Sequence, residues 1–159
     1  MFNANEILSI AVQIEKNANV FYARAAEIVE QEHASQLFQK LADWEVSHIQ
    51  IFSKLKEDLE GVVADAAQFD PNGEAGLYLQ AVADGKIFKV DQREEDLAAL
   101  SNDPQDIIQQ AIAREKDSVI FYQAMMLMIP PGQGRDKVSE IVAEEMSHVR
   151  FLVSLAEEL

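Results

Sequence analysis

Residues 41–55 read LADWEVSHIQIFSKL, and residues 141–155, one hundred positions later, read IVAEEMSHVRFLVSL. Large apolar residues recur in both stretches at intervals of three and four, which is typical of a helix with one apolar face. Each stretch also carries a Glu-x-x-His motif in register with that face: Glu45 with His48, and Glu145 with His148. Ionisable side chains therefore occupy positions where Leu or Ile is expected.

These stretches belong to a longer internal repeat. When residues 9–59 are placed over residues 109–159 without a gap, eleven of the 51 aligned positions are identical. The identities include Glu15/Glu115, Tyr22/Tyr122, Glu45/Glu145 and His48/His148. The repeat predicts two similar units, and the apolar periodicity predicts a hairpin of two helices in each unit.

Capping signals and turn residues give the ends of the predicted helices. Asn3 followed by Glu6 matches a capping box, and a polar turn is predicted at residues 31–35. In the second unit, Asp103 and Pro104 fit an N-cap and a first helical position. The Pro-Pro-Gly segment at 130–134 predicts the second turn.

A long connection separates the two hairpins. Residues 74–84 within it (EAGLYLQAVAD) have a helical pattern. Two hairpins joined by a long crossover predict an all-α, ferritin-like four-helix bundle rather than a simple up-down bundle. We expect a single domain over residues 1–159, with hairpin 1 at about 4–59, the crossover with its short helix at about 60–102, and hairpin 2 at about 103–158.

Composition excludes several classes of protein. Of 159 residues, 48% are hydrophobic and 26% are charged, which excludes intrinsic disorder. The formal net charge of −15 argues against binding nucleic acid or an anionic membrane surface through a basic patch. No apolar run is long enough to span a membrane and no secretory leader is recognisable, so we expect a cytoplasmic protein. With no cysteine, any metal must be held by His and carboxylate.

Six ionisable side chains are predicted to meet in the bundle core: Glu15, Glu45, His48, Glu115, Glu145 and His148. Two residues of an antiparallel hairpin lie level when the turn is midway between them. The midpoint of Glu15 and Glu45 is residue 30, close to the first predicted turn, and that of Glu115 and Glu145 is residue 130, which lies in the second. All four carboxylates can therefore occupy one layer, where each must be paired, protonated or metal-bound.

Charge favours two metal ions in this layer. Four glutamates carry four negative charges, which two divalent cations balance, and the i,i+3 spacing lets each Glu and His reach one interior point. Carboxylate and imidazole ligands suit iron or manganese, and zinc also accepts them. A metal-free polar layer that only fixes helix register is the alternative.

These six residues resemble the metal-ligand pattern of the rubrerythrin family of ferritin-like di-iron carboxylate proteins. The resemblance covers both hairpins and implies two irons, with His48 on one and His148 on the other. Either Glu45 and Glu145 or the other glutamate pair would bridge them. Val46 stands where bacterioferritin has its haem-ligating methionine, so no haem is expected. Rubrerythrins also tend to have a further glutamate where this chain has Ser118.

The resemblance implies an oxidoreductase that reduces hydrogen peroxide or dioxygen at this centre. Rubrerythrins usually add a cysteine-containing rubredoxin module, so we expect an external electron donor, such as a rubredoxin-type protein, and a homodimer. A ferroxidase that stores or handles iron is the second hypothesis. The third is a metal-free interaction bundle.

Five further residues have less specific patterns. Tyr22 and Tyr122 each lie two turns beyond a core glutamate, so their hydroxyls are placed either to bond ligand carboxylates across the bundle or simply to pack. We expect Trp44 to pack, His33 to be a solvated loop residue, and Glu144 to face solvent.

Overall fold

The computed structural model describes residues 3–62, 70–93, 96 and 101–159, and all the regular secondary structure in these ranges is helical. Five helices have both ends there: α1 (Ala4–Ile28), α2 (Glu32–Asp58), α3 (Glu74–Ala83), α4 (Pro104–Met126) and α5 (Arg135–Glu158). The predicted all-α bundle of two hairpins, with a short helix in the crossover, is confirmed. Among the described residues, no helix combines the length and hydropathy needed to cross a membrane.

The predicted helix starts at α1 and α4 are confirmed. The Asn3 side chain accepts a hydrogen bond from the Glu6 amide, and Glu6 bonds the Asn3 amide in return. Asp103 caps α4, with Pro104 in the first turn. The predicted turn at residues 31–35 is wrong, because α2 already begins at Glu32 and the connection from α1 is only three residues long.

Contacts between the hairpins define the directions of the four long helices. Tyr22 contacts Glu115 while Tyr122 contacts Glu15, so α1 and α4 run antiparallel. In the same way His48 contacts Glu144 while Trp44 stacks on His148, so α2 and α5 run antiparallel. The crossover must therefore return the chain along the whole bundle before α4 begins, as ferritin-like connectivity requires.

Two contacts fix the described part of the crossover. Asp70 accepts hydrogen bonds from the amides of Ala75 and Gly76 in the first turn of α3, which packs against α4. Further along, the Asn17 side-chain amide on α1 donates to the Val90 carbonyl over 2.8 Å. The described part of the crossover therefore lies against α1 and α4.

The bundle core consists of two apolar clusters. One includes Phe21, Phe38, Leu41, Ile108 and Leu152, at the end where α1 joins α2. The other includes Leu8, Phe52, Phe121, Met125 and Ile141, at the end where α4 joins α5. The six predicted core ionisable residues belong to neither cluster and lie between them, so a polar layer divides the core.

Two turn glycines provide a test of the close approach between α2 and the start of α5. Both have positive φ, +76° at Gly132 and +104° at Gly134, but only at Gly134 would an added Cβ overlap the Leu55 side chain. We expect G132A to lower the free energy of unfolding by about 1–2 kcal/mol through backbone strain. G134A should cost about 1–3 kcal/mol more, because Leu55 must move. Equal losses in urea denaturation would contradict this packing.

Candidate metal centre

The structure brings all six predicted ligand residues together in the polar layer. Each is at most 3% exposed, although all six are ionisable: Glu15, Glu45, His48, Glu115, Glu145 and His148. Each long helix contributes a glutamate, and α2 and α5 add a histidine one turn later. The predicted level arrangement of the four carboxylates is therefore observed.

The layer contains two overlapping groups of possible ligands. One comprises Glu15, Glu45, His48 and Glu145, and the other comprises Glu45, Glu115, Glu145 and His148. Within each group, one ligand atom per residue lies within 4.8 Å of the others. Glu45 and Glu145 belong to both groups, whereas Glu15 and Glu115 each belong to one. The two glutamate pairs therefore differ in their positions, a difference that the sequence did not predict.

Both histidines turn Nδ1 towards the carboxylates. His48 Nδ1 lies 3.0 Å from Glu145 Oε1 and 3.2 Å from Glu45 Oε2. His148 Nδ1 lies 2.8 Å from Glu145 Oε2 and 3.4 Å from Glu45 Oε1. The two rings are 5.7 Å apart between centroids and 17° from parallel. Two nitrogen donors therefore face a common interior space.

Several buried polar atoms in this space have no hydrogen-bond partner. They are Glu15 Oε2, Glu45 Oε1, both carboxylate oxygens of Glu145, and His148 Nδ1. The short distance from His148 Nδ1 to Glu145 Oε2 does not have hydrogen-bond geometry. Leaving such groups unpaired costs about 1–3 kcal/mol each, and more when they are charged. Oxygen and imidazole donors converging in this way fit one or two divalent metal ions.

Four groups of the layer bind protons more tightly than usual when no metal is present. Burial raises the pKa of Glu45 from its ordinary 4.5 to about 8, with help from the charge of Glu15. Burial and the other three glutamates raise the pKa of Glu145 well above 4.5. Burial opposes charge on the histidines, but carboxylate contacts outweigh it and raise the pKa of His148 to about 12 and that of His48 far above 6.5.

The two buried tyrosines hold the carboxylates of the opposite hairpin. The Tyr22 hydroxyl donates to Glu115 Oε1, and the Tyr122 hydroxyl donates to Glu15 Oε1. Burial, followed by the adjacent glutamate charge, raises the pKa of both hydroxyls well above 10, so they remain donors. Of the two alternatives that the sequence left open for these tyrosines, the structure shows hydrogen bonds across the bundle.

Two residues next to the motifs contact the outer sides of the histidines. Glu144 is 56% exposed, yet its Oε2 lies 2.7 Å from His48 Nε2, so the expectation that it only faces solvent is wrong. Trp44 packs as predicted, but its ring stacks on His148 at 5.2 Å between centroids and also on Phe151. No sequence pattern within one helix specifies either histidine contact, because both depend on the register between α2 and α5.

The remaining predicted residues lie outside the layer. His33 is exposed as predicted, but it belongs to the first turn of α2 rather than a loop, and its Nε2 lies 3.2 Å from Glu158 Oε2. Ser118 is buried, and its hydroxyl donates to the Arg114 carbonyl over 3.0 Å. Ser118 is in neither ligand group, so this position adds no carboxylate to the centre.

Metal binding should displace protons from the layer. Glu45, Glu145, His48 and His148 all have raised pKa values, so a metal ion competes with protons at these four groups. We expect up to four protons released per two divalent ions, measured by titration in weakly buffered solution. Metal affinity should rise as the pH rises through about 8, where Glu45 loses its proton.

The same shifts predict how the metal-free protein responds to pH. Glu45 binds its proton more tightly in the fold than in the unfolded chain. Its stabilising contribution is therefore complete below pH 4.5 and is lost as the pH rises through about 8. We expect thermal unfolding in the presence of a chelator to occur at lower temperature as the pH rises over this range. A melting temperature that increased instead would contradict the protonated layer.

Removing one tyrosine hydroxyl should weaken metal binding. Y22F leaves Glu115 Oε1 without its donor but keeps the ring in the core, so we expect metal affinity to fall about 10–100-fold. The metal-free protein should lose about 1–3 kcal/mol of stability. Y78F is the matched control, because Tyr78 is only partly buried on α3, away from the layer. If Y22F and Y78F bound metal equally, the hydroxyl would have no role in the centre.

Comparison with known proteins agrees with this geometry. The fold is similar to a crystal structure described as a candidate ferritin-like diiron-carboxylate protein from Thermotoga maritima, with a TM-score of 0.70 and 22% identity. That match covers 99% of this chain and 96% of the other, and it shows a shared fold. No significant match was found among curated protein sequences. The rubrerythrin family model matches residues 6–156, and the chain therefore belongs to the rubrerythrin family.

Proposed function

We propose that this protein binds two iron ions in the polar layer and reduces hydrogen peroxide or dioxygen there. One observation carries the proposal: two buried ligand groups share Glu45 and Glu145 and each add a glutamate and a histidine. A symmetric arrangement of this kind provides for two metal ions rather than one. Membership of the rubrerythrin family supports the same chemistry.

The ligand roles follow from the two groups. Glu45 and Glu145 belong to both, so they are the carboxylates that would bind both metal ions. Glu15 and His48 would complete one metal position, and Glu115 and His148 the other. Manganese or zinc fits the same donors, and the family favours iron. Val46 is exposed on α2 and offers no ligand to the layer, in keeping with a centre without haem.

When bound, two ferrous ions supply the two electrons needed to reduce an O–O bond. The chain's own residues prepare the site for that chemistry. Tyr22 and Tyr122 hold the terminal carboxylates, and the apolar clusters on both sides exclude water from the layer. Burial also keeps the six ligands at fixed positions, since each is surrounded by packed side chains.

The geometry is less consistent with a metal-free interaction bundle than with a metal centre. A polar layer that served only to fix helix register would be expected to satisfy its own hydrogen bonds. Here five buried atoms of the layer have no hydrogen-bond partner. A ferroxidase that stores iron would use the same centre, but it also needs a large shell. Size-exclusion chromatography distinguishes such a shell from a small oligomer, and we expect a homodimer.

The proposed reaction needs a separate source of electrons. These 159 residues contain no cysteine, so they cannot form a rubredoxin-type iron centre themselves. We propose that an external donor, such as a rubredoxin-type protein, returns the irons to the ferrous state after each turnover.

Anaerobic titration with Fe(II) tests the centre directly. We expect two equivalents per chain, followed by rapid oxidation when the loaded protein is mixed with peroxide or dioxygen. Comparing the two rates identifies the preferred oxidant. A folded protein that bound no iron would overturn the proposed function.

Replacing the shared glutamates tests their assignment. We expect E45A/E145A to lose both iron equivalents and to consume peroxide no faster than protein without iron. E57A/E157A is the matched control, because these residues are also equivalent in the repeat but lie exposed on the same two helices. Undiminished peroxide consumption in E45A/E145A, with the control also active, would refute the mechanism.

A further inference from the structure

The two halves of the centre differ in the residue that contacts the outer side of each histidine. Residues 44 and 144 correspond in the repeat, and each immediately precedes a glutamate shared by both ligand groups. The antiparallel arrangement of α2 and α5 places each of them beside the histidine of the other helix. One position is Trp and the other is Glu, so the two histidines have chemically different neighbours.

Glu144 gives His48 a carboxylate on its outer side. The 2.7 Å contact with His48 Nε2 is a charge-assisted hydrogen bond in which the ring N–H donates. His48 Nδ1, on the other side of the ring, faces Glu45 and Glu145. A carboxylate that accepts the outer N–H fixes the tautomer with Nδ1 free for metal and makes that nitrogen a stronger ligand.

Trp44 gives His148 a different kind of support. The indole and imidazole rings are 5.2 Å apart between centroids and only 7° from parallel, so stacking fixes the orientation of His148. An indole has one donor and no acceptor, so Trp44 cannot accept the His148 Nε2 proton. Within the described residues, no carboxylate contacts His148 Nε2; the carboxylate contacts of this ring all involve Nδ1.

We propose that the difference between Trp44 and Glu144 makes the two metal positions unequal. Glu144 acts as a positioning residue that strengthens metal binding at the position that includes His48. The first ion therefore occupies the Glu15/His48 side, and the ion on the Glu115/His148 side is held more weakly. The inference rests on the proposed two-metal function and adds an order of loading to it. It concerns the chain's own residues, so it can be tested by binding alone.

Co(II) titration under anaerobic conditions, followed by visible absorption, measures both equivalents. In the unmodified protein we expect two steps of different affinity. E144Q removes the charge that supports His48, and we expect it to weaken the tighter step about 10–100-fold and to leave the weaker step unchanged. E140Q is the matched control, because Glu140 is exposed one turn earlier on α5 and pairs with Lys137. If E144Q and E140Q lost affinity for Co(II) to the same extent, the proposal would be overturned.

The reverse substitution provides an independent test. W44E places a carboxylate beside His148, and we expect it to strengthen the weaker step until the two affinities become similar. W44F keeps a ring on His148 without adding charge and should leave both steps near their original values. If W44E does not fold, the comparison of E144Q with E140Q and W44F still tests whether Glu144 makes the two binding steps unequal.

Proton NMR of the Co(II)-loaded protein identifies the histidine involved. Ring N–H protons of metal-bound histidines give strongly shifted, exchangeable signals. We expect one such signal to exchange faster with solvent in E144L, which lacks the acceptor, while the other is unchanged. Two signals that respond equally, or not at all, would overturn the assignment to His48. Binding of fewer than two ions by the unmodified protein would instead refute the proposed function.

Discussion

Burial of six ionisable side chains in one layer is the constraint on which the rest of this structure depends. Isolated carboxylates in a protein interior are costly, so the layer exists only if protons, metal ions or hydrogen-bond donors compensate its charge. The surroundings are arranged accordingly. An apolar cluster lies on each side, and each cluster contributes one tyrosine whose hydroxyl donates to a carboxylate.

The internal repeat has a structural consequence: neither hairpin holds a complete ligand group. The group around His48 includes Glu145 from the second hairpin, and the group around His148 includes Glu45 from the first. The tyrosine bonds also cross between hairpins, from Tyr22 to Glu115 and from Tyr122 to Glu15. Each hairpin therefore supplies what the other lacks, and the layer joins them across the bundle.

The sequence predicts this layer well because every signal in it is local or periodic. Apolar spacing of three and four identifies the inner face of each helix, and polar residues on that face stand out. The contacts that were missed depend on neighbouring helices. His48 meets Glu144 only because α2 and α5 run antiparallel at one particular register, and no pattern within either helix specifies it. The predicted turn at residues 31–35 is wrong for another reason: Glu32 and His33 are polar because they lie exposed in the first turn of α2.

The proton-loaded and metal-loaded layers carry the same charge, which explains how one fold can accommodate both. Four groups hold protons tightly without metal, namely Glu45, Glu145, His48 and His148. Two divalent ions bring the same four positive charges, so exchanging protons for metal leaves the electrostatic balance of the core unchanged. Five buried atoms of the layer also have no hydrogen-bond partner, and metal ions could coordinate several such donors at once. The donor geometry is therefore suited to metal ions, which would neutralise the layer as the protons do.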